Sequence, residues 1–114
     1  MPREFVILSP RPVDLADHLV AAVATDANAG LQSLFDGGAT QVCDERGEVL
    51  ATVMTTKGMD DSSDAVRLLG ASVDEAHVFW TEGYAPFDDP RGSGFARRLA
   101  NSVEGRLYEL GGAA

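Results

Sequence analysis

His18, His77 and Cys43 are the whole stock of imidazole and thiol groups in this 114-residue chain. Structural and catalytic zinc sites take three or four such ligands at short spacings, and no HExxH, CxxC or facial-triad spacing occurs. Asp60, Asp61 and Asp64 could attract a divalent cation, but the ligand pattern of a calcium loop is missing, so they read as a solvated acidic loop. Ser62, Ser63, Ser72 and Ser93 lack the GxSxG elbow of a nucleophilic serine. Acid–base chemistry would have to recruit His77 with Glu82 or Asp88, and spacing alone does not bring them together. Cys43 has no second cysteine for an intrachain disulfide; in the run TQVC it reads as a buried strand thiol. The chain therefore reads as non-catalytic, with no catalytic residue and no metal site assigned.

The sharpest local pattern is Arg91-Gly92-Ser93-Gly94-Phe95-Ala96, a Gly-rich turn opening into an amphipathic helix after a strand. Backbone N–H groups at such a helix start could hold a phosphate, with Arg91 beside them. Neither the P-loop nor the dinucleotide fingerprint is matched. The R-x-x-G-x-A spacing resembles the pyrophosphate-binding turn of the GCN5-related N-acetyltransferases. The resemblance places Arg91, Gly94 and Ala96 on the motif, with Gly92 and Ser93 between them, and implies acetyl-coenzyme A as the ligand. The expected order of elements upstream also looks like the first half of that fold. The family continues past this helix with further strands and a helix. The expectation is thus a truncated acetyltransferase-like module that binds an acyl-coenzyme A or nucleotide, as the alternative to a protein-binding function.

That protein-binding function rests on aromatics and charge. In His77-Val78-Phe79-Trp80-Thr81-Glu82, a period of two mixes apolar and polar groups on both sides, as in a strand whose end lines a groove. Trp80 is either core or a contact anchor, and Tyr84 and Phe87 follow in an irregular segment with Asp88 and Asp89. Tyr108 is expected on the wet face of the last helix, beside Arg97, Asn101 and Glu104. Trp80, Tyr84, Phe87, Asp88, Asp89 and Tyr108 are therefore the expected partner-binding residues.

Eighteen acids against nine bases give a net charge of -9. Residues 1–57 hold eight acids and four bases, and residues 58–114 ten and five, so there is no acidic tail. Such a field disfavours DNA and RNA and suits a basic protein partner of an adaptor, chaperone-like or inhibitor type. The apolar fraction is 45% and the charged fraction 24%, an ordinary profile for a single soluble domain over 1–114. No signal-peptide pattern and no long apolar run is present, so the expected location is cytoplasmic, without membrane contact. Self-association remains open.

The elements expected to position these groups begin with a strand at Glu4–Ser9, ended by Pro10 and Pro12. A helix follows over 13–25, with Leu15, Leu19 and Val23 on its core face, beside Ala16, Val20 and Ala22, and with Asp14, Asp17 and His18 outside. Leu31–Phe35 reads as a short second helix closed by Gly37 and Gly38. A hairpin spans 39–43 and 48–55, turning at Asp44–Gly47. A loop over 57–64 and a short helix to Gly70 come next, then a strand over Ala76–Thr81. The last helix is read over 93–110, with Phe95, Leu99, Val103, Leu107 and Leu110 inward. The order β-α-(α)-β-β-α-β-α places the chain in the α/β or α+β class: one small sheet with helices packed on it.

Overall fold

The run Glu4–Ser9 does become a strand, β1 (Pro2–Ser9), and it lies in the interior of the sheet. The computed structural model describes residues 2–59, 79–86 and 88–110. They form an α+β fold: one antiparallel sheet of seven described strands, with two described helices against it. After β1 come α1 (Leu15–Thr25), β2 (Gly30–Leu34), a single 3-10 turn (Phe35–Gly37), β3 (Ala39–Cys43) and β4 (Val49–Met54). The short β5 (Lys57–Gly58), β6 (Phe79–Pro86), α2 (Pro90–Ser102) and β7 (Arg106–Leu110) complete it. The strand order is β2-β3-β4-β6-β1-β7, with β5 also paired to β6. The expected short helix over 60–70 and the start of the 76–81 strand lie outside the described residues.

β1 is covered on both sides because every residue from Phe5 to Leu8 is apolar. Phe5 and Ile7 join the main core with Leu50, Val53, Phe95 and Leu99. Val6 and Leu8 form a second cluster with Trp80, Tyr108 and Leu110. The expected hairpin is present as β3 and β4, with Gly47 at φ 83 in its turn. Between β4 and β5 the pairing to β6 slips by one residue, from Val53↔Gly83 to Lys57↔Trp80. This is the signature of a bulge. Thr56, inside it, accepts from the Val13 N–H at 3.0 Å, and its hydroxyl lies 2.6 Å from that of Thr81.

Three sequence expectations are corrected here. Leu31–Phe35 is not a helix: Leu31 to Leu34 belong to β2, paired with β3 from Gly30↔Cys43 to Leu34↔Ala39. A stretch this short gains more from a ladder of backbone bonds beside an existing hairpin than from one isolated helical turn.

The last helix ends at Ser102, eight residues early, and β7 follows. Its end is a Schellman closure: the Gly105 N–H donates to the Ala100 carbonyl at 2.8 Å, and Glu104 N–H to that of Asn101 at 3.3 Å. A Cβ on Gly105 would stand 2.8 Å from the Leu8 carbonyl oxygen, so the chain can pass this close to β1 only as glycine. Val103, Leu107 and Leu110 keep a helical spacing by coincidence. Val103 caps α2, Leu107 packs against the main core, and Leu110 belongs to the second cluster. Tyr108 is thereby a strand residue, not a helix-surface one. Glu104 occupies the left-handed position at φ 54 that glycine favours. Glu104→Gly is accordingly expected to stabilise the protein by about 1 kcal/mol, read as a higher urea midpoint at unchanged slope.

The third correction concerns α1, whose faces are reversed. Leu15, Ala16, Leu19, Val20, Val23 and Ala24 point to solvent, while Asp17, His18 and Ala21 are buried; of the expected core residues only Ala22 is buried. The cause lies at the helix start. Asp14 and Asp17 form a reciprocal capping box, each side chain accepting the other's backbone N–H at 3.0 Å. Arg11 donates to both Asp17 oxygens at 2.8 Å and to the Ser102 carbonyl at 2.8 Å, tying α1 to the end of α2. With its charge paired and its oxygens bonded, Asp17 can face inward. Small Ala21 and Ala22 share the core with Ala96 and Ala100, which lets the two helices approach closely.

Candidate functional site

Arg91 lies inside the first turn of α2, not in a loop ahead of it, because Asp89 is the N-cap and Pro90 opens the helix. The Asp89 carboxylate accepts from the Arg91 N–H at 3.0 Å and takes the capping position at the helix start. The Arg91 guanidinium is held by carboxylates: Asp89 at 2.8 Å, Asp44 at 3.2 Å, Asp26 at 3.7 Å and Glu48 at 3.8 Å. Hydrogen bonding to Asp89 raises its pKa above the ordinary value, so it stays charged. Asp44 is buried in the β3–β4 turn, where its side chain also accepts from the N–H groups of Arg46 and Glu48 at 2.9 Å. Burial pushes its pKa up, but the Glu48 and Arg46 N–H groups and Arg91 outweigh this and hold it below the ordinary range.

The other residues of the motif have structural partners. A Cβ on Gly92 would stand 2.5 Å from the Leu50 carbonyl oxygen and 2.6 Å from the Ala85 Cβ, so Gly92 sets how closely α2 lies on the sheet. The Ser93 hydroxyl donates to Glu109 on β7. Gly94 faces the Arg98 guanidinium, and Ala96 is buried in the main core. The turn thus joins α2 to β4, β6 and β7, and its one cation, Arg91, is outnumbered by the four carboxylates around it.

The expected contact residues divide between two places. Trp80, Tyr84 and Tyr108 share the sheet face of Val6 and Leu8, through the register Leu8↔Trp80, Glu4↔Tyr84 and Val6↔Tyr108. Trp80 Nε1 donates to Glu82 Oε1 at 3.0 Å. Tyr84, expected in an irregular segment, lies in β6, because that strand runs on to Pro86; it is 36% exposed, and its partial burial with the charges of Glu4 and Glu82 raises its pKa. Asp88 and Asp89 instead line a cleft of about 370 Å³ with Glu48, Val49 and Pro86. Phe87, His77, Asp60, Asp61 and Asp64 lie outside the described residues. Among the described residues, no group of three or more His, Cys, Asp or Glu side chains could hold a metal ion. Cys43 is half-buried, its thiol 3.9 Å from Gln41 Oε1.

The surface that sequence reasoning missed is the outer face of α1. Leu15, Val20, Leu19 and Val23 are 66%, 63%, 50% and 47% exposed. Four large aliphatic side chains in water on one eleven-residue helix make a contiguous apolar patch, which monomeric proteins seldom expose without a use. Phe35, 78% exposed, begins the 3-10 turn at φ 54, and Asp36 follows at φ 53. A cleft of about 180 Å³ runs beside α1, lined by residues that include Leu15, His18, Gly37 and Met54.

His18 packs beneath this face. Its Nδ1 lies 2.8 Å from the Asp14 carbonyl oxygen and must therefore carry the proton, leaving a lone pair on buried Nε2. Burial holds its pKa below the ordinary 6.5, against the pull of Asp14 and Asp17. For Asp17, the Arg11 hydrogen bonds outweigh burial and hold the carboxyl at about 2, against an ordinary 3.8.

Both groups are depressed on folding, so both stabilise at neutral pH and lose that contribution as pH falls. His18 acts below 6.5 and Asp17 between 3.8 and about 2. Asp17 contributes on the order of 1–2 kcal/mol after allowance for solvent around Arg11. Urea midpoints are therefore expected to hold above neutrality and then fall in two stages. The deficit of Arg11→Ala should be present at pH 5 and close as pH approaches 2. A deficit constant down to pH 2 would assign it to packing instead.

Among the described residues, no helix is long and apolar enough to cross a membrane. No family model matches this chain, and neither the curated proteins nor the solved structures searched contain a match.

Proposed function

We propose that this is a small non-catalytic protein-binding protein, of the adaptor, chaperone-like or inhibitor kind, that docks another protein chain on the outer face of α1. The observation that carries the reading is the reversed helix: four large aliphatic side chains face water while Asp17 and His18 face the core. Burying one such side chain is worth about 1.5–3 kcal/mol, and a partner recovers what the isolated fold leaves unused. Helix faces of this kind serve as docking elements through anchors at helical spacing, here Leu15, Leu19 and Val23.

The test compares proteins retained from native extract by the wild type and by Leu19→Glu, with circular dichroism to verify the helix. Proteins retained by the wild type and lost with Leu19→Glu are the expected result; identical sets would refute the reading. The alternative acyl-coenzyme A or nucleotide module draws on the helix start at residues 90–96. It requires the ligand phosphate to displace Asp89 from the N-cap. Coenzyme A titration followed at the amides of residues 92–96 decides it, and unmoved amides at saturating ligand would end it.

A further inference from the structure

We propose that the chain docked on α1 is a second copy of this protein, in a two-fold dimer that packs α1 antiparallel on α1 of the other copy. The inference rests on the docking reading above and names its occupant. The outward face of α1 consists of Leu15, Ala16, Leu19, Val20, Val23 and Ala24 and carries no charge and no hydrogen-bonding side chain. Its best complement is therefore another apolar helix face. Two adjacent rows at four-residue spacing, 15–19–23 and 16–20–24, present a ridge of large residues beside one with alanines at both ends. Two such surfaces interdigitate when turned against each other.

Local charge fits a second copy, because the two ends of α1 carry opposite charges. A chain of net charge -9 that recruited a basic protein here would ring the patch with carboxylates. Instead, the outward face of α1 carries none: Asp14 lies at its N-terminal end, and Asp26, its C-cap, turns with Asp44, Glu48 and Asp89 toward Arg91. The flank of the patch carries exposed Arg98, which donates to Thr25 Oγ1 at 3.3 Å at the C-terminal end of α1. The N-terminal end carries exposed Asp14. An antiparallel pair places Asp14 of each copy toward Arg98 of the other, twice by symmetry, and also opposes the two helix dipoles.

Area agrees with a reversible dimer. The exposed side chains offer roughly 400 Å² per copy. Pairing with the flanking Asp14, Thr25 and Arg98 reaches about 1,000–1,200 Å² in total, the size of a weak, reversible interface.

Sedimentation equilibrium over a concentration series tests this. The wild type should rise from 12.0 kDa toward twice that mass. Leu19→Glu should remain at 12.0 kDa throughout. Arg98→Glu, a surface change that leaves the fold intact, should weaken association about tenfold at low salt. A wild type that stays monomeric to about 0.5 mM overturns the dimer; the extract experiment then still decides whether α1 docks a different protein. A dimer that neither variant weakens overturns the dimer through α1, and the extract experiment then decides the docking reading on its own.

Discussion

Gly92→Ala is expected to destabilise the protein by about 3 kcal/mol with no ligand in solution. The new methyl group would stand 2.5 Å from the Leu50 carbonyl oxygen and 2.6 Å from the Ala85 Cβ. One of these is backbone of β4 and the other is fixed to β6, so neither can swing aside and α2 has to lift from the sheet. Phe95, Leu99 and Val103, all fully buried, would lose contacts together. Gly94→Ala is the internal control. Its methyl group meets only the end of the Arg98 side chain at 3.0 Å, which can move, and alanine favours the helix by roughly 0.5–1 kcal/mol. Gly94→Ala should therefore be neutral or stabilising. Equal losses at the two positions in urea unfolding would contradict the packing account of this Gly-rich segment.

The segment shows what the sequence made legible and what it did not. A helix after the Gly-rich turn could be read from the apolar spacing of Phe95 and Leu99, though the expected start is 93 and Pro90 opens it. The duties of the glycines could not, because they depend on the distance to Leu50, some forty residues away. The acidic nest around Arg91 was equally hidden: Asp26, Asp44, Glu48 and Asp89 come from four separate segments and meet only after the sheet forms. Strand β1 and the β3–β4 hairpin were legible because an apolar run and a turn glycine are local signals. Strand β7 was not, since Val103, Leu107 and Leu110 fit a helical period and the stop at Glu104–Gly105 is set by contact with Leu8.

Helix α1 carries the most consequential misreading. Hydrophobic periodicity identified a helix with two unlike faces and assigned the aliphatic one to the core. Helical spacing says which residues share a face, not which way the face points. The direction was decided by Arg11, which pairs with Asp17 and reaches the Ser102 carbonyl, and by small alanines that fit against α2. A bidentate partner six residues upstream of an acid in the first helical turn was the one available hint.

The second large effect follows from that reversal. Ala22 is fully buried in the main core, so Ala22→Glu would force a carboxylate into an apolar space with no cation designed to meet it. Its cost is expected to be about 4 kcal/mol or more, enough to unfold a domain of ordinary stability. Leu19→Glu places the same group on the outward face, where water solvates it and the helix tolerates it, at a cost within about 1 kcal/mol.

Paired urea unfolding of Leu19→Glu and Ala22→Glu, at concentrations low enough to keep both monomeric, is the most direct test of the outward apolar face. Leu19→Glu should unfold cooperatively near the wild-type midpoint, while Ala22→Glu should be unfolded or lose most of its stability. The reverse order, with Leu19→Glu the more damaging, would put the leucine face back in the core and remove the docking surface.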